Sequence, residues 1–348
     1  MAFISVVGQL STLVGLISVN WMPDDTDIEA LKTDETWRLV QGLQLIALLI
    51  FLAYMIFIVK HDSPKFYSTN NQDEKAKQVI RKIYDTGALL DENTDFQILQ
   101  EIKQSSSVET NEVGLADAFF NDERYIRSSW IAVLLSASVW LCGFQVILNY
   151  ANNIIAQISE GKESPLDPRK STYALGFSQA IGAVISLYAV TKLGRRTLLL
   201  IGHLGCSILL VILALCVVYD LPKMKLATIC AYSFLFNVSN ATVVNVYLVE
   251  ISCDIAFGVA LVVMQLVILV ETITALQMMS WLSPQGFFLF YAVTSFIGFL
   301  FVYRWVGETM HLSEKEKKLM YQPGGVLGRN LRVGETAWDQ PVGLESEL

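Results

Sequence analysis

Uncharged amides recur at helical spacing inside long apolar runs of this chain. Ser138, Cys142, Gln145, Asn149 and Asn152 follow one another at steps of four, three, four and three, so a continuous helix carries them on one face. Gln179, Gly182 and Ser186 share a face of a second run, and Asn237, Asn240 and Asn245 fall within an arc of about 140° of a third. A polar face inside hydrocarbon must look at protein or at water. Two chemistries answer that need: interhelical hydrogen bonds, about 0.6 to 2 kcal/mol each, or a cavity that hydrogen-bonds a polar solute. Amide faces without charge suit a small neutral polyhydroxylated solute, such as a hexose, better than an ion. Asn237-Val-Ser and Asn240-Ala-Thr match the glycosylation pattern, yet both lie inside a run where the modifying enzyme does not reach.

Glu271 is the one acid deep in an apolar run, where a comparable Asp costs roughly 2.5 to 3.5 kcal/mol to insert. With no basic residue in any span as its evident partner, it is either a proton carrier or a neutral, hydrogen-bonded packing residue. His61, His203 and His311 are expected near span ends or in polar segments, with no metal-ligand cluster. No phosphate loop, H-E-x-x-H or G-x-S-x-G is present, so neither an enzyme nor a cofactor is expected. None of the five cysteines, Cys142, Cys206, Cys216, Cys230 and Cys253, forms a C-x-x-C pair, and all are read as buried thiols.

The elements that position these groups must be membrane helices. Of 348 residues, 53% are hydrophobic and 17% charged, against roughly 25% charged in ordinary soluble domains. Mean hydropathy is +0.46. The net charge of −8 sits in loops and tails, says nothing of nucleic acid and argues against a basic lipid-docking surface; no nucleic-acid partner is expected. About 20 apolar residues cross the roughly 30 Å hydrocarbon core, and runs of that length lie near 2–21, 38–59, 128–150, 172–191, 197–219, 225–249, 258–281 and 286–305. The expected fold class is therefore an all-α membrane protein of about eight transmembrane helices.

A polar insert near 61–125 separates two spans from the other six. Within it Ala76, Val79, Ile80, Ile83 and Tyr84 repeat at helical spacing, with Asn71 and Glu74 placed as a capping box. Phe96, Leu99 and Ile102 mark a second short amphipathic helix. Lys60, Lys65, Lys75 and Lys77 follow the second span, Arg195 and Arg196 the fourth, and Arg304, Lys315, Lys317 and Lys318 the last. That bias puts the insert and both termini in the cytosol, although Lys162, Arg169, Lys223 and Lys225 fall on the other side.

The motifs at these boundaries bring a family into view. Leu193-Gly194-Arg195-Arg196-Thr197-Leu198-Leu199-Leu200-Ile201-Gly202 resembles the G-R-R-x-x-L-L-x-G loop of sugar porters in the major facilitator superfamily. Asp62-Ser63-Pro64-Lys65 is similar to P-E-S-P-R, and Asp73 to Tyr84 to the E-x-A-x-x-V-L-x-x-L-Y segment after it. Tyr247-Leu248-Val249-Glu250-Ile251 resembles Y-x-x-E-I, and Glu308-Thr309 with Leu312-Ser313-Glu314-Lys315-Glu316 resembles the closing P-E-T-K-G-x-S-L-E-E. These matches come in the family's order and span nearly the whole chain. The resemblance makes the first span the family's fifth helix, with Gln9-Leu10 and Gly15 matching Q-L-x-x-x-x-G. It implies a major facilitator fold, N-terminally truncated, in which six-helix halves rock about a midplane site. The implied parts are 1–60, two helices of the N-terminal half; 61–125, a cytosolic linker; 126–306, the six-helix C-terminal half; and 307–348, a cytosolic tail.

Asp62, Arg195, Arg196, Glu250 and Glu308 match the family's gating positions, and Gln9, Gln145, Asn149, Gln179 and Asn237 are the candidate solute-binding residues. Departures are numerous. The acid expected before the G-R-R loop is Thr191, the Arg expected seven residues after Glu250 is Phe257, and the proline of the closing motif is Gly307. The family's Q-Q-x-x-G-I-N reads Val139 to Gln145, P-x-P-x-P-W reads Ala241 to Asn245 without proline or tryptophan, and N-W reads Ile268-Leu269. About half of the latch's charge partners are thus expected to be lost. The resemblance implies a facilitative plasma-membrane carrier of a sugar or polyol, working by alternating access. The alternative is a transporter-like sensor, scaffold or partner subunit that moves nothing. With two helices facing six, the chain by itself is expected to be inactive in transport and to need an oligomer or a partner chain.

Overall fold

The computed structural model describes residues 64–83, 99–100, 113–149, 168–312 and 314–322, with scattered positions between 35 and 62. Five stretches are long and apolar enough to cross a membrane: Glu123–Leu148, Ser171–Leu193, Arg195–Val218, Pro222–Ile251 and Asp254–Trp305. The last has 52 residues, about 78 Å of helix at a 1.5 Å rise and more than twice a bilayer core. It bends at Ser283 (φ 58°, ψ 159°), where Pro284 supplies no amide hydrogen and biases the residue before it away from α geometry. With the bend dividing the last stretch into two arms, the described stretches correspond in position to the six apolar runs expected after the insert. The first expected span lies outside the described residues, and the described positions of the second, from Arg38 to Ile56, are helical.

The helices are α1 (Pro64–Thr69) and α2 (Asp73–Ile83) in the insert, α3 (Glu123–Trp140), α4 (Phe144–Asn149), α5 (Pro168–Leu193), α6 (Arg195–Val218), α7 (Pro222–Phe236), α8 (Thr242–Ile251), α9 (Asp254–Trp305) and α10 (Glu314–Leu319). A five-residue π-turn, Asn237–Ala241, joins α7 to α8, and another, Asp117–Asn121, precedes α3. Asp122 caps α3 by accepting from the Arg124 amide at 3.0 Å, and Pro222 opens α7 at a position where its missing donor costs nothing.

Contacts inside the bundle use small and hydroxylated residues, as expected where lipid is no less apolar than leucine. Ser136 on α3 donates to the Ala260 carbonyl at 2.9 Å, and Ser207 on α6 to the Ala292 carbonyl at 2.9 Å. On the outside Ile273, Val218 and Trp281 are exposed, Trp281 by 80%, as suits helices whose solvent is hydrocarbon.

In the insert, Asn71 does not cap α2 as the spacing suggested. It holds φ 56° and closes α1, with its amide on the Ser68 carbonyl (3.1 Å) and the Gln72 amide on the Tyr67 carbonyl (2.8 Å). This is a Schellman ending, and asparagine tolerates its left-handed position. Leu99, on the second amphipathic segment, is buried with Ala76 and Ile80 of α2.

Candidate functional site

The amide stripe expected on one continuous third span is broken. α3 stops at Trp140, Leu141 to Gly143 form a turn, and α4 restarts at Phe144, so Ser138 and Gln145 lie on opposite sides of a break. Gly143 has φ 78°, and a Cβ there would come within 2.6 Å of the Tyr291 ring. A break at membrane depth strands carbonyls, and each finds a donor: Thr294 donates to Leu141 O at 2.6 Å and Tyr232 to Cys142 O at 2.9 Å. Both donors come from other helices, so the break is a tertiary feature.

The turn sets α4 against the end of α7. The Phe144 and Phe236 rings stack with centroids 4.0 Å apart, and Trp140 meets Phe236 edge-on at 5.7 Å. Gln145 and Asn237 are the residues that follow these two rings, on segments 92 positions apart. Gln145 is partly buried and engaged by a neighbour. Gln179, on α5, is buried at 4% exposure. Three residues on, Gly182 faces the π-turn so closely that a Cβ would lie 3.2 Å from Asn237 Cβ. Ser186, on the same face, accepts from Thr242 at 3.0 Å, an interhelical bond. Asn149 closes α4, and Gln9 and Asn152 lie outside the described residues.

The π-turn divides the third amide set, which a regular helix would hold in one arc. Asn237 lies against α5, donates to the Ser233 carbonyl at 2.9 Å, and has a buried Oδ1 with no partner among the described residues. Asn240 turns to α6 and pairs with His203 Nδ1 at 3.0 Å. Asn245 bonds back to the Ala241 carbonyl at 3.3 Å.

His203 overturns its expected place near a span end. It is fully buried within α6, with Ser138 Oγ 3.5 Å from Nε2, and its carbonyl accepts from Ser295 at 2.9 Å. Gly298 makes room for the ring: a Cβ there would lie 2.9 Å from it. Gly298 and Gly202, where a Cβ would run into the Asn240 and Ser239 side chains, are the sequence signal of this contact, readable only once α6, α9 and the π-turn are known to meet.

At the end of the bundle that carries the G-R-R loop, four of the five gating candidates converge. Gly194 breaks the chain between α5 and α6 with φ 74°. Glu308 fills the space beside it and accepts from the amides of Arg195 (2.8 Å), Arg196 (3.1 Å) and Thr197 (3.4 Å), placing a carboxylate on the positive end of α6. Arg195 Nη2 is 3.1 Å from Glu250 Oε1, and Arg196 donates to the Tyr303 carbonyl at 2.9 Å. Glu250 also takes Lys317 Nζ at 3.1 Å, and its Oε2 accepts from Thr309 at 2.6 Å.

The expectation of a latch short of partners therefore needs correcting at Glu250. Phe257 supplies no cation, but Lys317 of α10 does, from a Lys-rich tail in which spacing does not mark one lysine from the next. α10 is also held by Lys318, which donates to the Ser252 carbonyl, and by Tyr321, 2.6 Å from the Tyr247 hydroxyl and accepting from the Gly307 amide. Burial pushes the Tyr321 phenol above the ordinary tyrosine range, so it serves as a neutral hydroxyl. Asp62 is exposed in the insert, and its one described contact is its own amide to Tyr67 Oη at 3.3 Å. Lys225, one of the basic residues on the unexpected side, is buried and paired with Asp220 at 2.8 Å.

Helices broken at membrane depth, an amide-bearing interior and a charged clasp at one end define a polytopic membrane protein of the kind that carriers build. The chain belongs to the Sugar (and other) transporter family, whose model matches residues 3–321. It is 28% identical to the putative metabolite transport protein YwtG of Bacillus subtilis, covering 95% of this chain and 71% of that one. It is 31% identical to the facilitated glucose transporter member 1 of solute carrier family 2 from Gallus gallus, over 57% of this chain and 39% of that one. Among solved structures it superposes with a TM-score of 0.74 on the major facilitator superfamily proton:xylose symporter XylE bound to 6-bromo-6-deoxy-D-glucose, at 22% identity. That match covers 92% of this chain and 65% of the symporter, and establishes the major facilitator fold. The chain thus spans from about two fifths to about seven tenths of the length of these relatives.

Proposed function

We propose that this chain provides the solute-holding half of a facilitative carrier that moves a sugar or related polyol across the membrane by alternating access. The observation that carries the reading is the buried Oδ1 of Asn237, which has no partner among the described residues and is set beside α5 at a π-turn. A buried amide oxygen without a donor is costly, and a solute hydroxyl is a fitting donor. Gln145 and Gln179 complete an uncharged hydrogen-bonding set that favours hydroxyls over ions, with Gln9 and Asn149 as further candidates. The glucose and xylose named for the relatives are solutes of this chemistry.

In this reading 1–60 belongs to the N-terminal half, 61–125 is a cytosolic linker, 126–306 the C-terminal six-helix half, and 307–348 a cytosolic tail in a plasma-membrane protein. The basic residues after the even-numbered spans support that orientation. Glu250, Arg195, Arg196 and Glu308 then form a cytosolic clasp that changes partners as the halves rock, with Asp62 as its candidate partner in the linker. The convergence of four of its residues, with Lys317 as a second cation on Glu250, favours a working carrier over a transporter-like scaffold.

The test is equilibrium binding of labelled D-glucose, D-xylose and a panel of polyols to the purified protein. Saturable, stereospecific binding that Asn237→Ala, Gln145→Ala and Gln179→Ala each weaken at least several-fold, and Ser186→Ala leaves nearly unchanged, is the expected result. No saturable binding of any neutral sugar or polyol, or equal effects of all four substitutions, refutes it.

A further inference from the structure

Asn237 and Asn240 are three residues apart, and in a regular α-helix only about 60° would separate them on one face. Here they go to different helices. The Asn237 Cβ stands against Gly182 of α5, whereas a Cβ at Gly202 of α6 would run into the side chains of Asn240 and Ser239. The segment that carries them is the π-turn Asn237–Ala241, a rare departure from the α-helix that recurs at functional sites.

Two contacts grip this turn, one from each flank. On the α5 side the Thr242 hydroxyl donates to Ser186 Oγ at 3.0 Å and lies 3.2 Å from the Asn237 carbonyl oxygen. On the α6 side Asn240 Nδ2 lies 3.0 Å from His203 Nδ1. Asn240 and His203 are both fully buried, so bulk water does not compete for this bond. His203 is fixed in turn: Ser295 donates to its carbonyl at 2.9 Å, Gly298 leaves room for the ring, and Ser138 Oγ lies 3.5 Å from Nε2. A buried imidazole is a costly way to fill space that leucine would also fill, and what it adds here is the bond to Asn240.

The placement of Asn237 depends on that grip. Its Nδ2 is committed to the Ser233 carbonyl at 2.9 Å, which leaves Oδ1 as the atom it presents. α7 is tied upstream by Tyr232, which donates to the Cys142 carbonyl at 2.9 Å. α8 is tied downstream by Tyr247, which donates to the Gly307 carbonyl at 2.9 Å, and by the charged partners of Glu250. A change of geometry at the turn is therefore taken up between these ties, by the residues from Asn237 to Thr242.

We propose that His203 is a positioning residue of the solute site: without touching solute, it holds Asn240, and through it the π-turn geometry in which Asn237 presents its Oδ1. The solute part rests on the carrier reading, and the hold on the turn does not.

Two measurements on the purified full chain test the two parts. Hydrogen–deuterium exchange of the backbone amides from Asn237 to Thr242 reads the hold. His203→Leu should speed that exchange at least several-fold, whereas exchange in α10 should keep its parent rate. His203→Asn, which sets an amide atom where Nδ1 stands, should restore most of the protection. Equilibrium binding of labelled D-glucose and D-xylose reads the positioning. His203→Leu should weaken binding at least several-fold, His203→Asn less, and His203→Leu with Asn237→Ala no more than Asn237→Ala alone. A histidine that only supported the fold would multiply the two losses. Where His203→Leu does not fold, Asn240→Ala cuts the same bond from its other side and is read in the same way. A turn that exchanges at the parent rate in the folded variant overturns the hold. A faster turn with unchanged sugar affinity, or losses that multiply in the double variant, overturns the positioning. A faster turn in a protein that binds no sugar supports the hold and counts against the carrier reading alone.

Discussion

Gly194→Ala tests whether the clasp depends on the geometry of one residue. Gly194 sits at φ 74°, and a Cβ there would lie 2.6 to 3.0 Å from the carboxyl atoms of Glu308. Two costs follow. An alanine at φ 74°, ψ 155°, a region nearly reserved for glycine, loses about 1–3 kcal/mol. Displacing Glu308 weakens its hold on the amides of Arg195, Arg196 and Thr197, and complete loss of such a cap with its dipole term is about 2 kcal/mol. Gly194→Ala should therefore cost about 3 kcal/mol and Glu308→Ala about 2. The double variant should cost about 3.5 kcal/mol rather than the 5 of simple addition, because the methyl group then meets no carboxylate. Reversible unfolding in mixed detergent micelles measures all three. Strict additivity would show that Gly194 and Glu308 do not share the space described, and a Gly194→Ala cost below about 1 kcal/mol would refute the strained turn itself.

Three further perturbations follow from the same contacts. Glu250→Gln leaves Arg195 and Lys317 facing each other with no carboxylate between them and should destabilise by about 3–5 kcal/mol; Lys317→Met, which leaves Glu250 its arginine, should cost clearly less, and the order is read by the same unfolding assay. Gly143→Ala must drive its methyl group into the Tyr291 ring from a left-handed backbone, so a loss of about 3 kcal/mol or more is expected, relieved in part by Tyr291→Ala. His203→Leu leaves Asn240 buried without its ring partner and should cost about 1–3 kcal/mol, whereas His203→Leu combined with Asn240→Leu should recover part of that; thermal melting of the purified variants decides.

What the chain alone determines is its solvent and its crossings. Runs near 172–191, 197–219 and 225–249 appear as helices with ends close to those limits, because an apolar stretch in lipid must satisfy its own backbone. The amide faces were legible for the same reason: helical spacing fixes which residues share a side, and Gly182 and Ser186 do face the segment that begins at Asn237. Periodicity presumes an unbroken helix, however, and it misplaced residues wherever the helix changes. The turn at Gly143 and the π-turn at Asn237–Ala241 split two of the three sets, and both depend on partners far away in the chain: Thr294 and Tyr232 for the first, His203 for the second. The buried state of His203 and the choice of Lys317 as partner of Glu250 were likewise decided by packing. Local spacing encodes a helix and its faces, but a freed carbonyl, a buried imidazole or an isolated carboxylate gains its partner only from another helix, and only the tertiary structure determines which one arrives.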